Sequence, residues 1–120
     1  MDASKYQQLA ARTLIDTPGF EISGTNMMII WNAIGLAGEA GEVCDLVKKG
    51  IFHQHGIDRE KMVKELGDVM WYIAALCTKL DMDLSVIMDA NIRKLQTRYP
   101  DGYSSADSQR RVDAQDEVQP

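Results

Sequence analysis

The sequence predicts a single all-α domain built as a four-helix bundle. Glycine and proline divide the chain into four long segments whose apolar residues recur at helical spacing, and no segment alternates apolar and polar residues long enough to indicate a strand. The 120 residues and 45% hydrophobic content fit one domain. Because a domain of this size still gains from assembly, we expect a homodimer or homotetramer.

Local signals set the bounds of the four predicted helices. The first is capped by Asp2 or Ser4 and runs to about residue 15. The second covers residues 26–49 and is followed by a loop, 50–56. Asp58 is the N-cap expected for the third helix, which ends near residue 80. The fourth covers residues 84–99 and stops at Pro100 and Gly102.

A change of composition follows the fourth helix. Residues 104–120 are polar and lack helical periodicity. We therefore predict a helical domain over residues 1–103 and a C-terminal tail or arm over residues 104–120, which is either flexible or held by a neighbouring chain.

Charge and composition exclude several functions. The net charge of −5 argues against a nucleic-acid-binding protein but leaves room for a nucleotide whose charge a metal ion balances. No apolar run approaches the ~18 residues of a membrane span, and the N-terminus lacks a signal-peptide core. Cys44 and Cys77 fit reduced core thiols. We expect a cytoplasmic protein without nucleic-acid or membrane partners.

Two pairs of acidic residues are candidates for chemistry. Glu39 and Glu42 lie three residues apart in the second predicted helix, and Glu65 and Asp68 repeat this spacing in the third. Residues three apart are about 60° apart around a helix, so each pair points in one direction. Both pairs lie at the edge of an apolar arc of their helix. Acidic residues on a fully solvated helix face would not border such an arc, so these pairs are more than a solvated stripe.

Four carboxylates at the margin of a core repel one another and lose hydration, so positive charge must compensate. Basic side chains and divalent cations both meet this need, and spacing alone does not choose between them. If a metal is present, hard oxygen ligands favour Mg²⁺, with Mn²⁺ as a substitute, over zinc or copper. The lack of a Glu-x-x-His pair argues against a di-iron site.

The fourth predicted helix carries a row of polar and basic groups. Asn91, Lys94 and Arg98 share one face. An amide, an ammonium and a guanidinium in a row suit a polyphosphate, although cations near a helix C-terminus also occur without a ligand. On helical spacing, Tyr72 lies on the face of the third helix that carries Glu65 and Asp68.

Three stretches resemble one enzyme family. GLAGEAGEVCDLVKKGIF, KELGDVMWYIAAL and NIRKLQTRYPDGYS are similar to the MazG-like nucleotide pyrophosphohydrolases of the all-α NTP pyrophosphatase superfamily, over residues 34–104. The resemblance implies Mg²⁺-dependent hydrolysis of a nucleoside triphosphate to a monophosphate and pyrophosphate, in nucleotide-pool house-cleaning. Two alternatives are phosphoribosyl-ATP hydrolysis and a helical interaction protein with an acidic docking face.

The resemblance also implies roles for single residues. It makes Glu39, Glu42, Glu65 and Asp68 the magnesium ligands and catalytic acids. It implies that Asn91, Lys94 and Arg98 bind the triphosphate. It implies that Tyr72 contacts the sugar or a phosphate. Gly38 and Ala40 stand where many relatives carry a further acid, so a general base, if one exists, belongs to the four clustered acids.

Overall fold

The computed structural model describes residues 1–115, which form helices and contain no strand. The all-α class predicted from the sequence is therefore confirmed for this part of the chain. The helices are α1 (Ala3–Ala10, prolonged by a 3₁₀ turn over Ala11–Thr13), α2 (Gly24–Ile51), α3 (Arg59–Lys79), α4 (Leu84–Arg98), α5 (Ser105–Arg110) and α6 (Val112–Gln115). None of them is long and apolar enough to cross a membrane.

Side-chain caps explain where five of these helices begin. In each case an oxygen of the capping residue accepts a hydrogen bond from a backbone N–H two or three residues later, which would otherwise have no partner in the first turn. The caps are Asp2, Ser23, Asp58, Asp83 and Ser104. Asp58 is the cap predicted from the sequence for the third helix, and Asp2 is one of the two candidates predicted for the first.

The first helix is shorter than predicted. α1 ends at Ala10, because the chain tightens into the 3₁₀ turn and the Thr13 hydroxyl donates to the Ala10 carbonyl oxygen at 3.1 Å. This side-chain bond competes with continuation of the helix.

Helices α2 and α3 form an antiparallel hairpin that is the main packing unit of the chain. The connection turns back at Gly56, whose φ of +76° suits a residue without a Cβ. The Gly56 amide donates to the Gly50 carbonyl at 3.1 Å, and Ile57 packs on Gly50 so closely that a Cβ there would lie 2.8 Å from Ile57 Cγ1. Gly50 therefore allows the loop to close against the end of α2.

A second close approach holds the middle of the hairpin together. The Tyr72 ring of α3 lies against Gly35 of α2, and a Cβ at Gly35 would stand 2.2 Å from Tyr72 Cε1. Because Gly35 has no side chain, the Tyr72 ring of α3 can pack directly on the backbone of α2. The Trp71 ring meets Tyr72 edge-on, with 5.0 Å between ring centroids.

Helix α4 does not complete a bundle with this hairpin. Within residues 1–115, substantial packing between long helices joins α2 only to α3, whereas α4 packs against the short α6. The radius of gyration is 20.3 Å, against about 14 Å for a compact chain of this length. The described residues of one copy therefore pack mainly as a two-helix hairpin, and the four-helix bundle stays a prediction.

The apolar surface is left correspondingly open. In the described part of the chain the one buried hydrophobic residue is Cys77, which confirms its prediction as a core thiol, whereas Cys44 is exposed. Trp31 and Trp71 remain 66% and 61% exposed on the hairpin, and Ile92 of α4 remains 54% exposed.

The segment after the fourth helix is partly structured. Residues 105–115 form α5 and α6, separated at Arg111, whose φ of +47° ends α5. Because α6 packs on α4 of the same chain, this part of the predicted tail is an ordered arm. Residues 116–120 lie outside the described residues.

We predict that Gly35→Ala lowers the free energy of unfolding by about 1–3 kcal/mol, since the new methyl group overlaps the Tyr72 ring. Gly41→Ala is the matched control, because a Cβ there meets no atom within 4 Å and alanine favours a helix by about 1 kcal/mol. Denaturant unfolding of both variants checks this. Equal stabilisation by the two substitutions would contradict the proposed helix contact.

Candidate metal centre

Three of the four predicted acidic ligands meet between α2 and α3. One carboxylate oxygen each from Glu39, Glu65 and Asp68 lie within 4.8 Å of one another. Glu39 and Glu65 are half-buried, and Asp68 is exposed. The group thus opens to solvent on one side while it is backed by the hairpin on the other.

The hairpin explains why these residues converge. Gly35 lies one turn before Glu39 on α2, and Tyr72 lies one turn after Asp68 on α3. Residues four apart in a helix share a face. The contact between Gly35 and Tyr72 therefore brings the two acidic faces together, one turn after Gly35 on α2 and one turn before Tyr72 on α3.

Glu42 occupies a different position from the other three acids. It is exposed, and it does not belong to the group of three converging oxygens. Its negative charge still acts on Glu39, whose pKa it helps to raise. The structure therefore places Glu42 at the margin of the cluster.

The cluster disfavours ionisation of its central member. Burial raises the pKa of Glu39, and the negative charges of Asp68, Glu65 and Glu42 raise it further. Both causes act against the charged form of a carboxyl group. Without a compensating positive charge, the fold therefore disfavours the ionised form of Glu39.

Within residues 1–115, no ion pair joins a basic side chain to Glu39, Glu65 or Asp68. Lys48 and Lys49, the cations nearest in sequence on α2, both pair with Asp45, at 3.3 and 2.5 Å. The Asp45 contact raises the pKa of Lys49. Ion pairing, which spacing alone could not exclude, is thus not how the described chain balances its three acids.

The donor set fits a hard divalent cation. Three carboxylate oxygens at this separation can converge on one ion, and the described group contains no histidine or cysteine. Mg²⁺ and Mn²⁺ prefer such oxygen ligands and commonly complete their shell with water and phosphate. Glu39, Glu65 and Asp68 would hold the ion, with Glu42 beside it.

The predicted substrate-binding residues divide into two groups. Tyr72 is half-buried at the hairpin contact, one turn from Asp68. Asn91 and Lys94 are exposed on α4, which has no substantial packing against α2 or α3 within the described residues. Arg98 is half-buried at the end of α4, where it pairs with Asp113. One copy of the chain therefore brings Tyr72 to the acids but not the three residues of α4.

Asn32 is a buried polar residue that the sequence reasoning did not single out. It is 4% exposed, and its Nδ2 donates to the Met28 carbonyl oxygen at 2.7 Å. With Trp71 and Lys79 it lines an apolar depression of about 390 Å³ between α2 and α3. The available signal was a lone amide inside the apolar run MMIIWNAIGL, two turns before Glu39 on the same helix face.

Asp113 was also missed. Its carboxylate pairs with Arg98, yet residue 113 lies in a polar segment without periodicity. Because the pair spans 15 positions of sequence, no local pattern could have revealed it.

Two comparisons with known proteins found matches to this chain. The profile of the MazG nucleotide pyrophosphohydrolase domain matches residues 32–103, which contain all eight predicted site residues. A protein of Mycobacterium phage L5, called Gene 37 protein, is 38% identical over 102 residues, covering 82% of this chain and 89% of that protein. Its name states no activity. No solved structure matches the chain significantly.

We predict that Glu39→Gln raises the melting temperature of the metal-free protein at pH 7 and changes it less at pH 4. A raised pKa in the folded state means that stability is lost as the pH rises through that pKa, and glutamine cannot ionise. Melting curves across this range, without added metal, measure the effect. Glu21→Gln, in the exposed connector before α2, is the control. A lower melting temperature for Glu39→Gln at pH 7 would contradict repulsion within the cluster.

Proposed function

Because this chain belongs to the MazG nucleotide pyrophosphohydrolase family, we propose that it is a Mg²⁺-dependent hydrolase that converts a nucleoside triphosphate to a monophosphate and pyrophosphate. We further propose that it acts in the cytoplasm and removes unwanted nucleotides from the pool. The family supports the reaction class, and the chain's own residues support the metal.

The observation that carries the proposal is the convergence of Glu39, Glu65 and Asp68 without a basic partner among residues 1–115. A purely structural cluster of this kind would be destabilising, since its charges repel and are partly desolvated. A bound cation removes that cost. An acidic docking face would also require positive charge, but it has no need for three oxygens aimed at one point.

The chemistry asked of the chain is modest. Mg²⁺ held by Glu39, Glu65 and Asp68 would neutralise the phosphates and lower the pKa of a nucleophilic water. The water oxygen bonds to the α-phosphorus while the bond to the bridging oxygen breaks, so pyrophosphate leaves as a unit. The released proton passes to solvent or to a carboxylate of the cluster, because Gly38 and Ala40 supply no further acid. The chain's own task is to hold the acids and the phosphates in place.

We also propose that the active form is a homodimer or homotetramer in which α4 of one copy faces the acids of another. The extended single chain, with Trp31 and Trp71 exposed, supports assembly. The separation of Lys94 from the hairpin supports a shared site. A four-helix bundle would then be formed by two copies rather than one.

We predict that Glu39→Gln and Asp68→Asn abolish Mg²⁺-dependent release of pyrophosphate, because each removes a negative charge from the cation site while keeping the side-chain shape. A panel of canonical and damaged nucleotides, together with phosphoribosyl-ATP, identifies the substrate. The products are expected to be a monophosphate and pyrophosphate.

The matched control for this experiment is Asp45→Asn, which neutralises an acid of α2 outside the cluster. It should retain turnover. Orthophosphate as the first product would disprove the proposed reaction. Near-normal turnover of Glu39→Gln or Asp68→Asn at limiting Mg²⁺ would disprove the metal assignment.

We predict that mixing Asp68→Asn and Lys94→Ala chains restores activity that neither variant has alone. If a site takes its acids from one copy and its lysine from another, randomly mixed dimers should regain roughly a quarter of the normal activity. Unfolding the two variants together and refolding them before the assay tests this. No recovery, with mixed oligomers demonstrated by differential tagging, would show that each site is formed within one copy.

A further inference from the structure

The segment after α4 forms an ion pair with one side chain of that helix, Arg98. Arg98 Nε donates to Asp113 Oδ1 at 2.6 Å, and Arg98 Nη2 donates to Asp113 Oδ2 at 2.5 Å. The side chains are 17% and 6% exposed. Two parallel charge-assisted bonds hold a guanidinium in one plane, whereas a single contact leaves it free to swing.

A second neighbour restrains the same group. The Arg98 guanidinium carbon lies 5.8 Å from the centre of the Tyr99 ring. Asp113 occupies one edge of the guanidinium and Tyr99 lies beside it. A guanidinium has five N–H bonds, and the carboxylate uses two of them. The Tyr99 side chain forms a further hydrogen bond with the guanidinium, so at most two N–H bonds remain for a second acceptor, and the pair with Asp113 fixes their direction.

A purely stabilising role explains this pair poorly. A buried ion pair loses hydration on both partners, and apolar side chains of similar size often stabilise a fold as well or better. Asp113 also lies outside the segment matched by the family profile, on a helix of four residues. What a bidentate pair adds beyond apolar packing is a fixed orientation of the arginine.

We propose that Asp113 is a positioning residue that orients the Arg98 guanidinium toward the phosphates of the substrate. This inference rests on the proposed function and on the role in triphosphate binding that the family resemblance implies for Arg98. A free arginine loses side-chain entropy when it binds an anion, and an arginine already held in place loses less. Asp113 therefore strengthens phosphate binding although it is itself negative, because it leaves other N–H bonds of the guanidinium available.

The test measures binding of magnesium tripolyphosphate by titration calorimetry and melting temperature in parallel, on the full chain. Asp113→Asn is expected to weaken binding and to raise the dissociation constant about ten-fold, which corresponds to about 1.4 kcal/mol. Asp113→Glu keeps the charge and the fork, and it is expected to bind within about three-fold of the unaltered chain. Asp107→Asn is the control, since it removes an acid of the same arm that pairs with Arg110 instead.

A double-variant cycle isolates the contact. In an Arg98→Lys background, which lacks the planar fork, Asp113→Asn should change the dissociation constant less than two-fold. Unchanged binding in Asp113→Asn with a lower melting temperature would reduce the pair to a structural contact. Tighter binding would make Asp113 a competitor of phosphate. Either result overturns the proposal.

This readout is independent of catalysis. If the chain hydrolyses no nucleotide in the substrate panel but Asp113→Asn still weakens tripolyphosphate binding, the proposed function fails and the positioning role stands. If hydrolysis is found and Asp113→Asn changes neither binding nor KM, the positioning role fails alone.

Discussion

Three negative charges meet at the half-buried edge of a helix hairpin, and both the need for a cation and the chemistry of the site depend on their repulsion. Glu39, Glu65 and Asp68 come within 4.8 Å because α2 and α3 approach closely at Gly35 and Tyr72. The hairpin thus holds the acids where the charge of each disfavours ionisation of the others. The pKa of Glu39 is raised by burial and by this repulsion. Such an arrangement persists when a ligand that stabilises it forms part of the working state.

The same hairpin leaves much apolar surface uncovered. A chain of 120 residues would normally bury a core of its own, yet the one buried hydrophobic residue described is Cys77. Covering Trp31 and Trp71 requires another molecule, and bringing Lys94 to the acids requires a movement of α4 or a second copy. Both needs are met if copies of the chain assemble through these faces, which links stability of the fold to completion of the site.

Local features of the fold and site could be predicted from the sequence, and distant ones could not. The spacing of three residues placed Glu65 and Asp68 on one helix face, and Asp58 was recognisable as a cap because both depend on neighbours in sequence. The exclusion of Glu42 from the cluster depends on how two helices cross. The ion pair between Asp113 and Arg98 depends on how a polar segment folds back onto α4. The polarity of that segment alone indicated a flexible tail or an arm.

The most direct test of a cation at this cluster is electron paramagnetic resonance of Mn²⁺ added to the protein, with and without a non-hydrolysable triphosphate. The free ion gives a sharp spectrum that is lost on binding. If these acids form a metal centre, the unaltered chain depletes the free signal, Mg²⁺ restores it by competition, and Glu65→Gln binds far less Mn²⁺. An undiminished free Mn²⁺ signal in both conditions, or equal depletion by Glu65→Gln, would contradict a metal centre formed by these acids.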